Sequence, residues 1–449
     1  MAISREVIDQ IRDRVDLVQL VQQTVTLKKK GGRMMGLCPF HQEKTPSFGV
    51  VPHKNIFHCF GCGEGGDCYK FVMKTRGLGF YEAVKELGAR VGIEVEDRQM
   101  SPAEKQRSKQ RATLYDVCDS ARGFFHSCLT TTPEGRVALE YLWQRGIADE
   151  TIQAFQIGYA PAKWDGLQQH LQKQGYSPEL MAAAGLVRWR KQRSQGCYDL
   201  FRGRVMVPIA DKRGKTVAFG GRVLEAIAGQ SDAVHADAPK YVNSVETDIY
   251  NKSRVLFGLE QARRSIQNRD RVVVVEGYFD VISMHQAGFD EAVATCGTAL
   301  TEDHCRLIRP LTRRVIALFD SDEAGNRAAE RSMPLFVSAG IESFRVDLGS
   351  HKDPDEFIQE KGAEEFQALL DRGEPLFELV LSRARARDGA SPQGKQKTVE
   401  TLAPLIRRYD SAARTAVIGR VASALGIRED VVSEWVGRSK NQPNRDGPI

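Results

Sequence analysis

From Arg271 onward the chain alternates short apolar runs with helix-like stretches: "VVVV" and "YFDVISMHQAG", "AVAT" and "TEDHCRLIRPL", "VIALF" and "EAGNRAAERSMPLFVSAG", then "SFRVDL". This alternation constrains the fold more than any other feature. Runs without a polar face must be covered on both sides, and strands joined by helix-length crossovers predict a parallel sheet with helices on its faces. Ligands of such sheets collect where the strands end at their carboxyl edge. Acids stand at those ends: Glu276 after "VVVV", Asp320 and Asp322 after "VIALF", and Asp353 and Asp355 after "SFRVDLGSHK".

Asp320 and Asp322 flank a single residue, Ser321. If they continue the strand they project to the same side. At about 6 Å and an effective dielectric of about 20 they repel by about 3 kcal/mol, so a cation is expected between them. A solvated turn that caps the next helix is the other reading of these two residues alone. Taken together, the acids predict an oxygen-rich pocket for Mg²⁺ or Mn²⁺, ions that bind phosphates and stabilise attacking and leaving oxygens in nucleotidyl transfer. Asp353 is followed by Pro354 and reads equally as a helix N-cap with proline at the first helical position.

A second constellation lies near the N-terminus: Cys38-x2-His41, seventeen residues, then Cys59-x2-Cys62. Two close-set pairs of soft and borderline ligands suit tetrahedral zinc, each pair holding one edge of the metal. Gly61 and Gly63 permit the tight turn in which backbone N–H groups approach the thiolates. His58 and Cys68 are alternative ligands, and His53 reads as a loop residue. Four protein ligands leave no open position, so this zinc is structural. The other six of the nine cysteines have no paired spacing and read as reduced thiols.

Charge is unevenly placed. The whole chain carries +6, yet Leu186 to Arg222 holds ten Lys or Arg against Asp199 and Asp211. A single-sign patch of this kind points to a polyanion such as nucleic acid, with a solvated basic face as the alternative. Within it "LFRGRVMVPIADKRGKTVAFGGR" reads as a hairpin about the turn "DKRG", carrying Arg202, Arg204 and Arg222, with Lys240 and Lys252 downstream. Trp189 in "RWRKQR" reads as a partly buried anchor rather than a base-stacking platform. The "GKT" at 214–216 is not a phosphate loop, because position 209 is isoleucine where that motif needs glycine.

Length suggests about three domains. The boundaries read as a zinc-binding unit 1–97, a polar linker or solvated helix start 98–112, a basic part 113–268 that begins with helical pattern to about Gln169, the strand-helix alternation 269–360, an all-helical part 361–436 and a disordered tail 437–449. The first residues, "MAISREVIDQIRDRVDLVQLVQQ", read as one amphipathic helix rather than a signal peptide. With no run of about 18 apolar residues, no membrane partner is expected and the location is cytoplasmic.

In order, "CPFHQEKTPSF…FHCFGCGEGGD", "FGGR", "PKYVNSVETDIY", "VVVVEGYFDV", "GTALT" and "LFDSDEAG" resemble the bacterial replicative DNA primases of the DnaG type, to about residue 435. The resemblance implies an α+β multidomain chain: a zinc ribbon on an antiparallel sheet, then a mixed α/β polymerase core with a Toprim parallel sheet and a helical C-terminal subdomain. It implies zinc on Cys38, His41, Cys59 and Cys62. Mg²⁺ or Mn²⁺ and catalysis fall to Glu276, Asp320, Asp322, Asp353 and Asp355, with Asp280 nearby. Arg202, Arg204, Arg222, Lys240 and Lys252 line the template and nucleotide groove. The activity implied is primer-free synthesis of short RNA on single-stranded DNA from ribonucleoside triphosphates, leaving an RNA–DNA product at the replication fork.

Three features depart from the family pattern. Ser321 replaces a usual glycine, "EAIAGQSDAVHADA" is longer than typical, and the helicase-binding domain that usually follows is absent from this sequence, which leaves the helicase partner open. Glu276 is a metal ligand or a base. The rival readings are another Toprim enzyme, a nuclease or topoisomerase, and a non-catalytic zinc and DNA-binding module. No nucleophilic tyrosine can be placed for a strand-passing enzyme, and the complete acidic set opposes a non-catalytic module.

Overall fold

The computed structural model describes residue 3 and residues 5–95, 102–192, 194, 196–319, 323–351 and 353–438. Asp320, Ser321, Asp322, most of the expected linker's first residues and the tail from 439 lie outside them. The chain divides into two compact units, Met1–Lys109 and Gln110–Ile449. Among the described residues no helix is long and apolar enough to cross a membrane.

The first unit opens with two helices, Arg5–Arg14 and Leu17–Gln22, where the sequence reads as one. Asp16 makes the break: it caps the second helix by accepting from the Val18 and Gln19 N–H groups at 2.8 and 3.2 Å. Asn55 then holds both helix ends. Its Oδ1 accepts from Leu17 N at 3.1 Å, and its Nδ2 donates to the carbonyls of Arg12 at 2.9 Å and Val15 at 2.8 Å. Asn55 sits in the left-handed region at φ 53°, a conformation asparagine tolerates better than most residues.

A five-stranded antiparallel meander follows: Lys28–Lys30, Arg33–Gly36, Phe48–Val51, Ile56–Cys59 and Gly65–Gly66. Helices Cys68–Arg76 and Phe80–Arg90 complete the unit. Its core is aromatic: Phe48 and Phe57 stack at 5.3 Å, and Phe71 meets Phe57 edge-on at 5.7 Å.

In the second unit the hairpin expected about "DKRG" is present as strands Arg204–Ala210 and Thr216–Val223. Asp211 builds its turn by accepting from Arg213 N at 2.8 Å and Lys215 N at 3.1 Å. Tyr241–Asn243 and Gly158–Ala160 flank the hairpin in a four-stranded antiparallel sheet. Gly158–Ala160 interrupts a segment that reads as helical. The helix Pro102–Thr131 takes up most of the segment that reads as a linker.

The strand-helix alternation forms a six-stranded sheet in the order Leu256–Phe257, Ala292–Thr295, Val272–Val275, Arg314–Ala317, Glu342–Arg345, Glu374–Pro375. The four central strands are parallel and both edges antiparallel. The outermost strand falls in the stretch that reads as all-helical; its two residues pair with Phe344 and Arg345 before helix Leu376–Asp388 begins. Alternate residues of the central strands feed different cores. Val273, Val275 and Ile316 pack with Phe219 and Tyr278 of one cluster; Val272, Val274, Val315 and Ala317 pack with Leu376, Leu381 and Leu402 of another. That double burial is why these strands lack a polar face.

Replacing Asn55 by alanine removes three hydrogen bonds and strains the backbone, at a cost of about 3 kcal/mol. Denaturant unfolding of the first unit, followed by amide exchange at Leu17, is expected to show that loss; a change below about 1 kcal/mol would contradict the bridging role.

Candidate functional site

Cys38, His41, Cys59 and Cys62 come together with one ligand atom each, all within 4.8 Å of one another. Cys38 Sγ and Cys62 Sγ are 3.8 Å apart, as are Cys59 Sγ and His41 Nδ1. A tetrahedron with Zn–S bonds of about 2.3 Å has edges of about 3.8 Å, so the donors fit zinc. The Gly61 N–H approaches Cys59 Sγ at 3.4 Å, and a Cβ on Gly61 would lie 2.7 Å from His41 Nε2. Only glycine fits that turn.

The sequence reading missed the support around these ligands. His41 Nε2 lies 3.3 Å from Glu43 Oε2, the carboxylate–histidine arrangement that leaves Nδ1 free to bind metal. Glu43 also accepts from Cys38 N at 2.7 Å, and the Ser47 hydroxyl sits against it and 3.2 Å from Cys59 Sγ. The signal was present: Glu43 follows His41 by two residues. Burial pushes the Cys38 thiol up to about 12. At Cys59 burial also raises the pKa, but the Ser47 hydroxyl and the Cys62 and Gly61 N–H groups outweigh it and bring it to about 7.

In the parallel sheet, the chain leaves Val272–Val275 toward Ala292–Thr295 on one side, and leaves Arg314–Ala317 toward Glu342–Arg345 on the other. The crevice between the carboxyl ends of these two neighbours is therefore the topological switch point. Glu276, exposed, directly follows the first strand. Asp320 follows Phe319 just beyond the second, but Asp320 and Asp322 lie outside the described residues. Asp353 is the N-cap of helix Pro354–Lys361, accepting from Glu356 N at 2.9 Å. Asp355 accepts from Gln359 Nε2 at 3.0 Å, and Asp280 from Gly277 N at 3.1 Å. Among the described residues, Glu276, Asp353 and Asp355 do not by themselves form a metal-sized cluster; the Cys/His group is the one such group.

The basic residues separate into two kinds. Arg204 is buried, donates to the carbonyls of Gly221 at 3.1 Å and Lys240 at 3.4 Å, and burial draws its pKa down to about 10. It ties strands together rather than lining a surface. Arg202 lies 4.5 Å over the Trp164 ring and 5.3 Å over Tyr198, and donates to Ala233 O at 2.8 Å and to Asp199 O. Ala233 and Val234, in the long stretch after Arg222, pack with Val223 and Trp164 in a small apolar cluster of their own. Trp189 is partly buried.

Arg222 stands differently. It lies over Tyr141 at 5.4 Å, Tyr241 at 5.3 Å and Phe279 at 5.8 Å, and donates to the Tyr241 hydroxyl at 2.6 Å. Arg145, which sequence reasoning missed, covers the same Phe279 ring at 4.9 Å and donates to the Tyr141 hydroxyl at 2.9 Å. Burial opposes its charge, but Tyr141, Tyr241 and Asp355 more than offset this and raise its pKa. Two guanidinium groups thus share an aromatic platform, with the Asp355 carboxylate near enough to favour the Arg145 charge, an arrangement suited to phosphate oxygens and stacked bases. Lys240 is exposed and Lys252 half-buried.

Three family profiles match in chain order: the CHC2 zinc finger over residues 3–103, the N-terminal domain of the DNA primase catalytic core over 124–263, and a Toprim-like region over 273–358. The DNA primase of Clostridium acetobutylicum is 35% identical over 451 residues, which cover 98% of this chain and 72% of that protein. The chain belongs to the DnaG-type bacterial DNA primase family. The DNA primase of Listeria monocytogenes is 41% identical over 374 residues, covering 82% of this chain and 58% of that relative. The zinc-binding and RNA polymerase domains of the Aquifex aeolicus primase match at TM-score 0.61 and 32% identity, covering 96% of this chain and 99% of theirs. A DnaG catalytic domain solved with single-stranded DNA matches at TM-score 0.64 and 34% identity over 72% of this chain and 99% of its own. As in the family, the fold joins a zinc ribbon to a Toprim-containing polymerase core, and the Cys/His cluster is the ribbon's structural zinc site.

Glu43→Gln keeps the shape at the zinc ligands but weakens the acceptor for His41. Zinc retention against a competing chelator is expected to fall about 10-fold to 100-fold; retention unchanged within about twofold would remove Glu43 from the site.

Proposed function

We propose that this chain is a DNA-directed RNA polymerase that begins chains without a primer on single-stranded DNA. The observation that carries the reading is that the Arg145–Arg222 platform rests on Phe279, three residues after Glu276 at the switch point, in one unit of a primase fold. In this reading Glu276, Asp320, Asp322, Asp353 and Asp355 hold Mg²⁺ or Mn²⁺, which neutralises triphosphate charge when bound. Carboxylates are the hard oxygen donors such ions take. Arg145 and Arg222 hold the triphosphates and orient them. The 3′-hydroxyl of one ribonucleotide attacks the α-phosphate of the next, forming the phosphodiester bond as pyrophosphate leaves. Positioning and charge neutralisation supply most of the rate.

Lys240, Lys252, Arg202 and Trp164 extend the basic surface for the template, with the Arg202–Trp164 contact supplying a stacking edge. In the zinc unit, Phe60 is 59% exposed, Arg33 lies 5.2 Å over its ring and His58 meets it at 4.8 Å. Such an aromatic with cationic neighbours suits template bases. We place the working divisions of the second unit near 268 and 360, and the protein in the cytoplasm at the replication fork.

Single-stranded DNA, labelled ribonucleotides and Mg²⁺ or Mn²⁺ test the reading. Short RNA is expected from the unaltered chain, at least about 100-fold less from Asp320→Ala and about 10-fold to 100-fold less from Arg145→Ala. Equal RNA from Asp320→Ala would reject the acid assignment. Strand cleavage without synthesis would favour a Toprim nuclease.

A further inference from the structure

The proposed reaction needs two surfaces from different sheets, which share an apolar core but need a polar contact to set their edges in register. The basic surface belongs to the antiparallel sheet, where Arg222 pairs with Tyr241 and Gly220 with Asn243. Residues two apart on a strand share a face. Arg222, Tyr241, Gly220 and Asn243 therefore lie on one face of that sheet. The acidic edge belongs to the parallel sheet, where Glu276 is followed by Gly277 and then by Tyr278, the first residue of helix Tyr278–Gln286.

Tyr278 meets the basic face two residues from Arg222. Its hydroxyl donates to Asn243 Oδ1 at 3.0 Å, and Asn243 Nδ2 donates to Cys296 O at 3.3 Å. Both neighbours are shaped for this contact. A Cβ on Gly220 would lie 2.5 Å from Tyr278 Cε2, and one on Gly297, at φ +69°, would lie 2.5 Å from Asn243 Nδ2. The ring thus lies on bare backbone at Gly220, and the amide on bare backbone at Gly297. Phe257 closes the other side, edge-on at 5.1 Å.

We propose that the Asn243–Tyr278 hydrogen bond is a clasp that holds Arg222 on the antiparallel sheet at a fixed distance from Glu276 on the parallel sheet. Both are positioning residues. Neither needs to touch a nucleotide; each acts through the partner it holds. The clasp joins strand Tyr241–Asn243, the start of the helix after Glu276 and the loop at Cys296–Gly297, three segments far apart in sequence. A small displacement between phosphate-holding cations and metal-holding acids costs transition-state alignment more than ground-state binding. The inference rests on the proposed polymerase reading.

The experiment measures steady-state kcat and KM for primer-free RNA synthesis by the full chain, Tyr278→Phe, Asn243→Ala and the double variant. Mn²⁺ affinity, single-stranded DNA affinity and thermal melting are measured on each. Tyr278→Phe keeps the ring on Gly220 and removes only the hydroxyl, so it carries the test if Asn243→Ala does not fold. The expected result is a kcat about 10-fold to 100-fold lower in each single variant. The double variant should be no slower than the slower single, with KM and both affinities within about twofold. A Tyr278→Phe enzyme with wild-type kcat, losses that multiply in the double variant, or losses confined to KM or DNA affinity would each overturn the clasp while leaving the polymerase reading intact. An unaltered chain that makes no RNA would overturn both.

Discussion

The second unit depends on strands that must be buried from both sides. Val272–Val275 and Arg314–Ala317 send alternate side chains into two different cores, one shared with the antiparallel basic sheet and one with the C-terminal helices. Fully burying a valine or isoleucine contributes about 1.5–3 kcal/mol, and a one-residue register slip would exchange the two faces. The sheet is therefore fixed in register, and its chain reversals are fixed with it. The switch-point crevice follows from that strand order. Glu276, directly after Val272–Val275, stands at the mouth of that crevice because the strand order puts it there.

Much of this was legible in the sequence, and the reasons differ by element. The four parallel strands were readable because double burial leaves continuous apolar runs, and the hairpin because Asp211 and Gly214 mark its turn. The zinc ligands were readable because both pairs are local. Asp16 hid its helix break because an aspartate inside an amphipathic pattern also reads as an exposed position; its capping bonds and the distant Asn55 decide the matter. Glu374–Pro375 was invisible because two residues carry no periodicity. Arg145 was missed because its significance lies in two rings from different elements, Tyr141 and Phe279, and spacing along the chain does not encode that.

Charge alone does not separate the arginines. A count of basic residues treats Arg204 and Arg222 alike, although Arg204 pairs with Val223 and Arg222 with Val205, so a one-residue offset puts them on opposite faces of the hairpin. Arg204 turns inward and donates to backbone carbonyls; Arg222 faces an aromatic platform. Burial separates them: a guanidinium taken out of water needs hydrogen-bond partners within the protein, whereas one over ring faces keeps donors for an anion. Asp353 shows the same division among the acids, since one of its oxygens is committed to capping a helix. The zinc unit repeats the pattern on a smaller scale, with Glu43 holding the histidine that holds the metal.

We propose that the carboxyl ends of Val272–Val275 and Arg314–Ala317 hold divalent metal within reach of triphosphates bound at the Arg145–Arg222 platform. The most direct measurement is a crystal structure with Mn²⁺ and a ribonucleoside triphosphate, using anomalous scattering to locate manganese. Manganese is expected between Glu276 and Asp320, with triphosphate oxygens directed at Arg145 and Arg222. Manganese and nucleotide bound elsewhere, with this crevice empty, would contradict it.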